Sequence, residues 1–153
     1  MKNVMPTNFR VCKDNIIRDN KYHPRVDNAV YQELVFMKQN GENMTGAEEA
    51  LYGQCILTLV EIILNGPKFK FQDDDIKSEC RTDAYIAICE GVPRYFKKDA
   101  GSKAVSYAYR VGYTAMIHVL EAHDRRADVM NRIEEAYDEM FCHQGGKVCT
   151  SNL

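Results

Sequence analysis

KSECRTDAYIAICEG (Lys77–Gly91) and SYAYRVGYTAMIHVLEAH (Ser106–His123) both carry apolar residues at the spacing of an amphipathic helix. The first segment is acidic, and the second is rich in tyrosine and weakly basic. The connector PRYFKKDAGSK (Pro93–Lys103) contains turn-forming residues together with four basic residues. The centre of the chain is therefore predicted to be two helices of different character joined by a basic loop.

Two more helices are predicted upstream of this centre. The segment AVYQELVFMKQN follows Asp27 and Asn28, either of which suits a helix cap, and Gly41 is predicted to end the helix. The next helix opens at Thr45, and Glu48 stands three residues later, as in a capping box. Its apolar residues cover most sides near its end at a Gly-Pro pair, which predicts a central buried helix.

The remaining segments complete an all-α prediction. Pro93 is predicted to end the acidic helix, and Ser102 or Ser106 to begin the tyrosine-rich one. A further amphipathic helix is predicted over Arg125–Phe141. The alternating run KFKF has no second strand to pair with, so it is assigned to a connector. We expect a compact helical bundle.

The 153 residues are divided into an extended N-terminal arm over 1–26, one helical domain over 27–141 and a flexible tail over 142–153. The sequence lacks a signal-peptide pattern and an apolar run long enough for a membrane span. The six cysteines form no CxxC pair and no disulfide framework. We therefore expect a cytoplasmic protein with free thiols at Cys55, Cys80 and Cys89 and no membrane contact.

Charge changes sign along the central stretch. Residues 72–91 contain six acidic and two basic residues, a net charge of −4. Residues 92–126 contain seven basic and three acidic residues, a net charge of +4, although the whole chain has −2. A basic surface with interleaved tyrosines suits phosphate contacts and base stacking, whereas ordinary solvated helix faces are the simpler reading of the charges alone.

With these residues in place, the stretch resembles region two of the sigma-70 family of bacterial transcription initiation factors. It is most similar to the short late-gene sigma factors of tailed bacteriophages. KSECRTDAYIAICEG is similar to the helix that grips core RNA polymerase, Phe96 matches the aromatic residue after it, and SYAY (Ser106–Tyr109) resembles a Thr-Tyr-Ala signature. The similarity covers about residues 30–126, and the order and spacing of weak motifs carry it.

The resemblance implies two partners and no catalytic role, cofactor or metal. Glu79, Thr82 and Asp83 would bind the coiled coil of the largest subunit of RNA polymerase. Tyr107 would stack on an unpaired base of the promoter −10 element, on the non-template strand. The residues that would contact promoter DNA are Lys97, Lys98, Lys103, Tyr107, Tyr109, Arg110, Tyr113 and Thr114.

The sequence also departs from the family. Arg110 and Val111 stand where the family has paired tryptophans, and nothing after Arg126 resembles the domain that reads the −35 element. An accessory coactivator or a sliding clamp would then supply upstream contact. AYDEMF (Ala136–Phe141) bears only a weak similarity to the acidic-hydrophobic motif by which the phage factors bind a sliding clamp.

Other chemistry has less support in the sequence. The histidines and cysteines after residue 117 lack standard zinc-ligand spacing, and Asp73–Asp75 fit the negative charge favoured at a helix N-terminus. Phosphate loops and hydrolase motifs are absent from the sequence. The alternative kept open is a helical adaptor or inhibitor that binds RNA polymerase without reading DNA.

Overall fold

The computed structural model describes residues 26–97 and 101–145, with side chains described as far as residue 142. These residues form four helices, α1 (Asn28–Gln39), α2 (Gly46–Leu64), α3 (Asp74–Tyr95) and α4 (Ala104–Gly145), and within these ranges there is no strand. The all-α prediction is confirmed. The predicted N-terminal arm lies outside the described residues except for Val26.

The first two helices begin where the sequence predicts. The side chain of Asp27 accepts a hydrogen bond from the backbone N–H of Val30 at 3.1 Å, which caps α1. Thr45 and Glu48 form the reciprocal hydrogen bonds of a capping box at the start of α2. After α1, Gly41 adopts a φ of 66°, a backbone conformation that glycine reaches without a steric penalty.

Helix α2 is the most deeply buried helix, and it packs against α1 and α3. Helix α4 joins this core at Gly112. A Cβ atom added to Gly112 would lie 2.8 Å from a side-chain carbon of Ile88 and 2.9 Å from one of Ile63. Glycine costs about 1 kcal/mol within a helix, and at this position it permits close approach of α4 to α2 and α3.

The end of α3 differs from the prediction, because the helix continues through Pro93 to Tyr95. Proline has no N–H to donate to the carbonyl four residues earlier, which is that of Cys89. The hydroxyl of Tyr52 donates to the Cys89 carbonyl instead, at 2.9 Å. A side chain from α2 thus replaces the hydrogen bond that Pro93 removes from α3, and this contact between helices is not visible in the local sequence.

Tyr52 stacks on Tyr31, with ring centroids 6.2 Å apart and planes within 9° of parallel. Burial raises the pKa of both phenols above the ordinary value. The two hydroxyls differ in their partners: the hydroxyl of Tyr31 is buried and has no hydrogen-bond partner among the described residues. An unpaired buried hydroxyl costs about 1–3 kcal/mol, so this ring is stabilised by packing alone.

The start of α4 is tied to α1 by a remote cap. The sequence predicts Ser102 or Ser106 as the first residue, but the helix begins at Ala104. The side-chain oxygen of Asn28 accepts a hydrogen bond from the backbone N–H of Val105 at 3.0 Å. Asn28 therefore satisfies one of the unpaired N–H groups of a helix that begins 76 residues later in the chain.

The predicted break between two C-terminal helices is wrong, because α4 runs without interruption from Ala104 to Gly145. The residues at the predicted break, EAHDRRAD, include neither proline nor glycine, so they do not terminate a helix. Residues 142–145, assigned to the flexible tail, belong to the same helix; the rest of that predicted tail lies outside the described residues.

The chain divides into two compact units, one ending at Ile117 and one beginning at His118. The boundary between these units falls within α4. In the described ranges, every helix is too short or too polar to cross a membrane.

The cysteines of the helical core are as predicted. Cys55, Cys80 and Cys89 carry thiols that take part in no disulfide bond, and the first two are buried. Cys142 is disulfide-bonded, which the cysteine spacing does not predict. Thiols packed in a core behave as small apolar side chains, so Cys55 and Cys80 contribute to packing.

Candidate nucleic-acid interface

Helix α3 carries an exposed acidic face, defined here by Glu79, Thr82, Asp83, Ile86 and Glu90. The buried residues of α3 recur every four positions on the other side of the helix. Thr82, Asp83 and Glu90 are exposed, Glu79 is half-buried, and the side chain of Ile86 is 49% exposed. The three residues predicted to bind polymerase thus share one face, and the structure adds an apolar side chain among them.

The carboxylates of the acidic face affect a thiol on the buried side of the helix. Burial, and then the negative charges of Glu79 and Asp83, raises the pKa of Cys80 to about 11. The thiol of Cys80 lies 3.9 Å from the backbone carbonyl oxygen of Met116 in α4. Protonated Cys80 therefore contributes to the contact between α3 and α4.

Tyr107 lies near the start of α4 and is half-buried. Its ring centroid is 5.6 Å from that of Phe96, which in turn lies 6.1 Å from Phe36 of α1. The side-chain amide of Gln39 donates to the carbonyl oxygen of Phe96 at 2.6 Å and holds this residue in place. Tyr107, the predicted base-stacking residue, is therefore only partly accessible to a ligand, because its ring packs against that of Phe96.

Tyr109 and Tyr113 form a second aromatic group. Their ring centroids are 6.3 Å apart and nearly parallel, and Tyr113 contacts Phe69 edge to face at 5.4 Å. Phe69 is buried, Tyr113 is half-buried and Tyr109 is 39% exposed. Exposure therefore increases from Phe69 through Tyr113 to Tyr109, and the ring of Tyr109 packs against the ring of Tyr113.

The predicted DNA-contacting residues of α4 do not lie on one side of the helix. At about 100° per residue, Tyr107 and Tyr109 point roughly 160° apart, on either side of the buried face. Arg110 and Thr114 are exposed between these two edges. We call this set, completed by Tyr113, the tyrosine surface. It offers two separate aromatic edges with a cation between them, and a single flat platform is excluded.

Of the three lysines predicted to contact DNA, two lie among the described residues. Lys97, after the end of α3, and Lys103, before the start of α4, are both exposed. Lys98 lies outside the described residues. Lys103 lies directly before α4, and Arg110 is an exposed residue of α4 seven positions later.

The structure also brings residues to the tyrosine surface that the sequence analysis assigned only to a connector. Lys68 and Lys70 flank the buried Phe69, whose ring contacts Tyr113, and both lysines are exposed. Phe71 is 85% exposed, and the ammonium of Lys70 lies 5.7 Å from its ring centroid. The alternation of lysine and phenylalanine in KFKF was the available signal, since basic and aromatic residues together suit nucleic acids.

The described residues include no group of three or more histidine, cysteine, aspartate or glutamate side chains that could hold a metal ion. The search of protein-family models, curated proteins and solved structures found no match to this chain. The chemistry of the acidic face and of the tyrosine surface is therefore the basis for assigning a function.

Proposed function

We propose that this protein is a minimal sigma-like transcription initiation factor for phage late genes. It would bind core RNA polymerase and would recognise and melt a −10-type promoter element. One observation carries the proposal: residues 26–117 present an exposed acidic face on α3 and an exposed cationic and aromatic surface on α4. Two surfaces of opposite charge on one unit suit two partners of different charge. In a bacterial host, the site of action would be the cytoplasm.

The acidic face has the composition of a protein-binding surface. Ile86 supplies apolar area, and Thr82 and Asp83 supply exposed polar groups near it. In protein interfaces an apolar centre supplies affinity, and charged groups around it raise the association rate and select the partner. The coiled coil of the largest polymerase subunit is the partner that the family resemblance implies.

The tyrosine surface would bind promoter DNA. Lys97, Lys103 and Arg110 are exposed cations suited to phosphates, and each phosphate contact makes binding more sensitive to salt. Melting costs a few kcal/mol per unstacked base, and stacking of a base on an aromatic ring returns about 1–3 kcal/mol. Tyr107 and Tyr109, on opposite edges of the helix, would serve two different bases or strands.

No catalytic residue is assigned in this proposal, because the polymerase performs the chemistry. An accessory coactivator or a sliding clamp would provide the upstream contact. A second function, a polymerase-binding adaptor or inhibitor without DNA readout, is favoured by one contact. The packing of Tyr107 on Phe96 gives this tyrosine a structural role that needs no DNA.

Transcription by core polymerase from −10-type promoters, with and without the protein, tests the proposal. We expect transcripts only when the protein is present. The double variant Glu79→Lys, Asp83→Lys should abolish polymerase binding and transcription together. Its control is Glu33→Lys, Glu42→Lys, which makes the same charge change at two exposed positions outside the acidic face and should retain both.

The same assay separates the two candidate functions. Replacing Tyr107 and Tyr109 by leucine retains apolar packing and removes the aromatic rings. Loss of transcription with retained polymerase binding supports DNA readout. Equal output with and without the wild-type protein rejects the initiation factor, and repression that needs the acidic face but neither tyrosine identifies the adaptor or inhibitor.

A further inference from the structure

The turn between α2 and α3 carries an exposed phenylalanine to which the proposed function assigns no role. Phe71 is 85% exposed, more than any other large apolar side chain of the described residues. Phe69, two positions earlier, is buried, so alternate residues of this turn point away from and into the protein. A single exposed apolar side chain needs no explanation by itself, and the surroundings of Phe71 therefore decide what it can bind.

Hydrogen bonds and a buried ring hold residues 66–72, which we call the basic turn. The backbone N–H groups of Phe69 and Lys70 donate to the carbonyl oxygen of Gly66, at 3.1 and 2.9 Å. The buried ring of Phe69 contacts the ring of Tyr113 in α4, with centroids 5.4 Å apart. The basic turn is therefore anchored beside the tyrosine surface.

Two cations accompany the exposed ring. Lys68 and Lys70 are exposed, and neither forms an ion pair with a carboxylate in the described part of the chain. The ammonium of Lys70 lies over the ring of Phe71, 5.7 Å from its centroid, which leaves the opposite face of the ring for stacking. Cations beside an exposed aromatic ring suit a ligand that combines phosphates with flat bases, which is the composition of a nucleic-acid strand.

The basic turn extends one edge of the tyrosine surface. The ring of Tyr113, which contacts Phe69, is stacked on that of the exposed Tyr109, with centroids 6.3 Å apart. Arg110 is exposed and lies three residues before Tyr113, on the same side of α4. Aromatic rings and cations thus continue from α4 onto the turn within the first compact unit. Because only an unpaired base can stack on a side-chain ring, this edge suits a single strand.

Three carboxylates follow the basic turn and oppose the binding of a polyanion. Asp73, Asp74 and Asp75 are exposed, and the last two occupy the first turn of α3, where the positive end of the helix dipole offsets part of their charge. These carboxylates come after Phe71 in the chain, whereas both lysines come before it. The phosphates of a bound strand are therefore expected on the lysine side of the ring, away from the start of α3.

We propose that the basic turn is a binding site for single-stranded DNA. A base would stack on the open face of Phe71, and Lys68 and Lys70 would contact the flanking phosphates. The inference rests on the proposed function in taking DNA as the ligand. It deepens that function, because it gives a strand separated at the promoter a contact beyond the Tyr109 edge of the tyrosine surface.

Fluorescence anisotropy of a labelled oligothymidine of about 12 nucleotides, titrated with the full chain at low salt, tests this inference. Phe71→Ala should weaken binding by about ten-fold and Phe71→Trp should retain it, while circular dichroism shows an unchanged fold. Phe141→Ala is the matched control, because it removes a phenylalanine that is 47% exposed on the second unit, and it should bind like the wild type. Binding of a duplex should not depend on Phe71.

Charge variants test the phosphate contacts. Lys68→Gln with Lys70→Gln should reduce the slope of log affinity against log salt by about 1.4, since each phosphate contact on a single strand contributes about 0.7. Asp74→Asn should strengthen binding, because it removes a repelling charge.

The outcomes separate this inference from the proposed function. A wild-type chain that does not bind the strand, or equal binding by the wild type and Phe71→Ala, overturns the inference even if the protein supports transcription. An equal loss of single-strand and duplex binding in Phe71→Ala also overturns it. A loss confined to the single strand supports the site even if transcription is the same with and without the protein, a result that rejects only the initiation factor.

Discussion

The two ends of helix α4 carry similar patterns and have opposite environments. In the segment that ends at Ile117, small and apolar residues at intervals of four, namely Ala104, Ala108, Gly112 and Met116, are buried. In the segment from Asp124 onward, an apolar stripe with comparable spacing is exposed. An apolar stripe therefore predicts that a helix face has a partner, without predicting whether the partner belongs to the same chain.

The largest expected effect concerns the buried segment of α4. Gly112→Val adds a branched side chain where even a Cβ atom would lie 2.8 Å from Ile88 and 2.9 Å from Ile63. We expect a loss of about 2–3 kcal/mol in the free energy of unfolding, measured by urea denaturation, because overfilled cores force neighbouring side chains to shift.

The matched control lies in the exposed end of the same helix. Ala136→Val increases side-chain volume at an exposed position of α4 and should change stability by no more than about 0.5 kcal/mol. Equal destabilisation by the two variants would contradict the assignment of one end of α4 to the core and the other to the surface.

The second prediction compares two stacked tyrosines. Tyr52→Phe removes the donor to the Cys89 carbonyl that Pro93 leaves unpaired, and should destabilise the protein by about 1–2 kcal/mol. Tyr31→Phe removes a buried hydroxyl that has no partner, and should be neutral or stabilising by up to about 1 kcal/mol. Thermal unfolding of both variants checks the difference in sign, and a larger loss from Tyr31→Phe would refute it.

The third prediction concerns the cap that joins α1 to α4. Asn28→Ala removes the acceptor for the Val105 N–H and should destabilise the protein by about 1 kcal/mol. Asn28→Asp keeps an oxygen acceptor and places negative charge at a helix N-terminus, so it should retain the stability of the wild type. Chemical denaturation separates them; identical losses would show that the side chain does not act as a cap.

The smallest effect appears only in alkaline solution. Burial, and then the nearby carboxylates, raise the pKa of Cys80 from an ordinary value of 9.0 to about 11. Because the unfolded chain then loses this proton first, Cys80 should decrease stability progressively as pH rises from 9.0 to about 11. Cys80→Ala should flatten the slope of stability between about pH 9 and 10, before the tyrosines ionise in the unfolded chain. An unchanged slope would contradict the raised pKa.

These predictions show which parts of the fold can be predicted from sequence. The Thr45–Glu48 capping box depends on residues three positions apart, so the sequence predicts it correctly, and it narrows the cap of α1 to Asp27 or Asn28, of which the structure selects Asp27. The remote cap from Asn28 and the Tyr52 donor that accommodates Pro93 depend on contacts across 77 and 37 residues. Local pattern holds no information about such pairs, and for the same reason the close approach at Gly112 cannot be predicted.

The candidate surfaces were predictable to a similar degree. Glu79, Thr82 and Asp83 share one face of α3 because helical geometry alone determines their relation, so this part of the arrangement depends on local spacing. The separation of Tyr107 from Tyr109 onto opposite edges follows from the same geometry. The packing of Tyr107 on Phe96 and the proximity of the KFKF connector to Tyr113 require the tertiary structure.

Permanganate reactivity of unpaired thymines in a −10-type promoter tests most directly whether the acidic face binds polymerase while the tyrosine surface binds separated DNA strands. With core polymerase and the wild-type protein, we predict reactive thymines in the −10 element. The reactivity should be absent with core polymerase alone, with the Glu79→Lys, Asp83→Lys variant and with the Tyr107→Leu, Tyr109→Leu variant. Equal reactivity with and without the protein, or full reactivity with the tyrosine variant, would contradict the proposed roles of these surfaces.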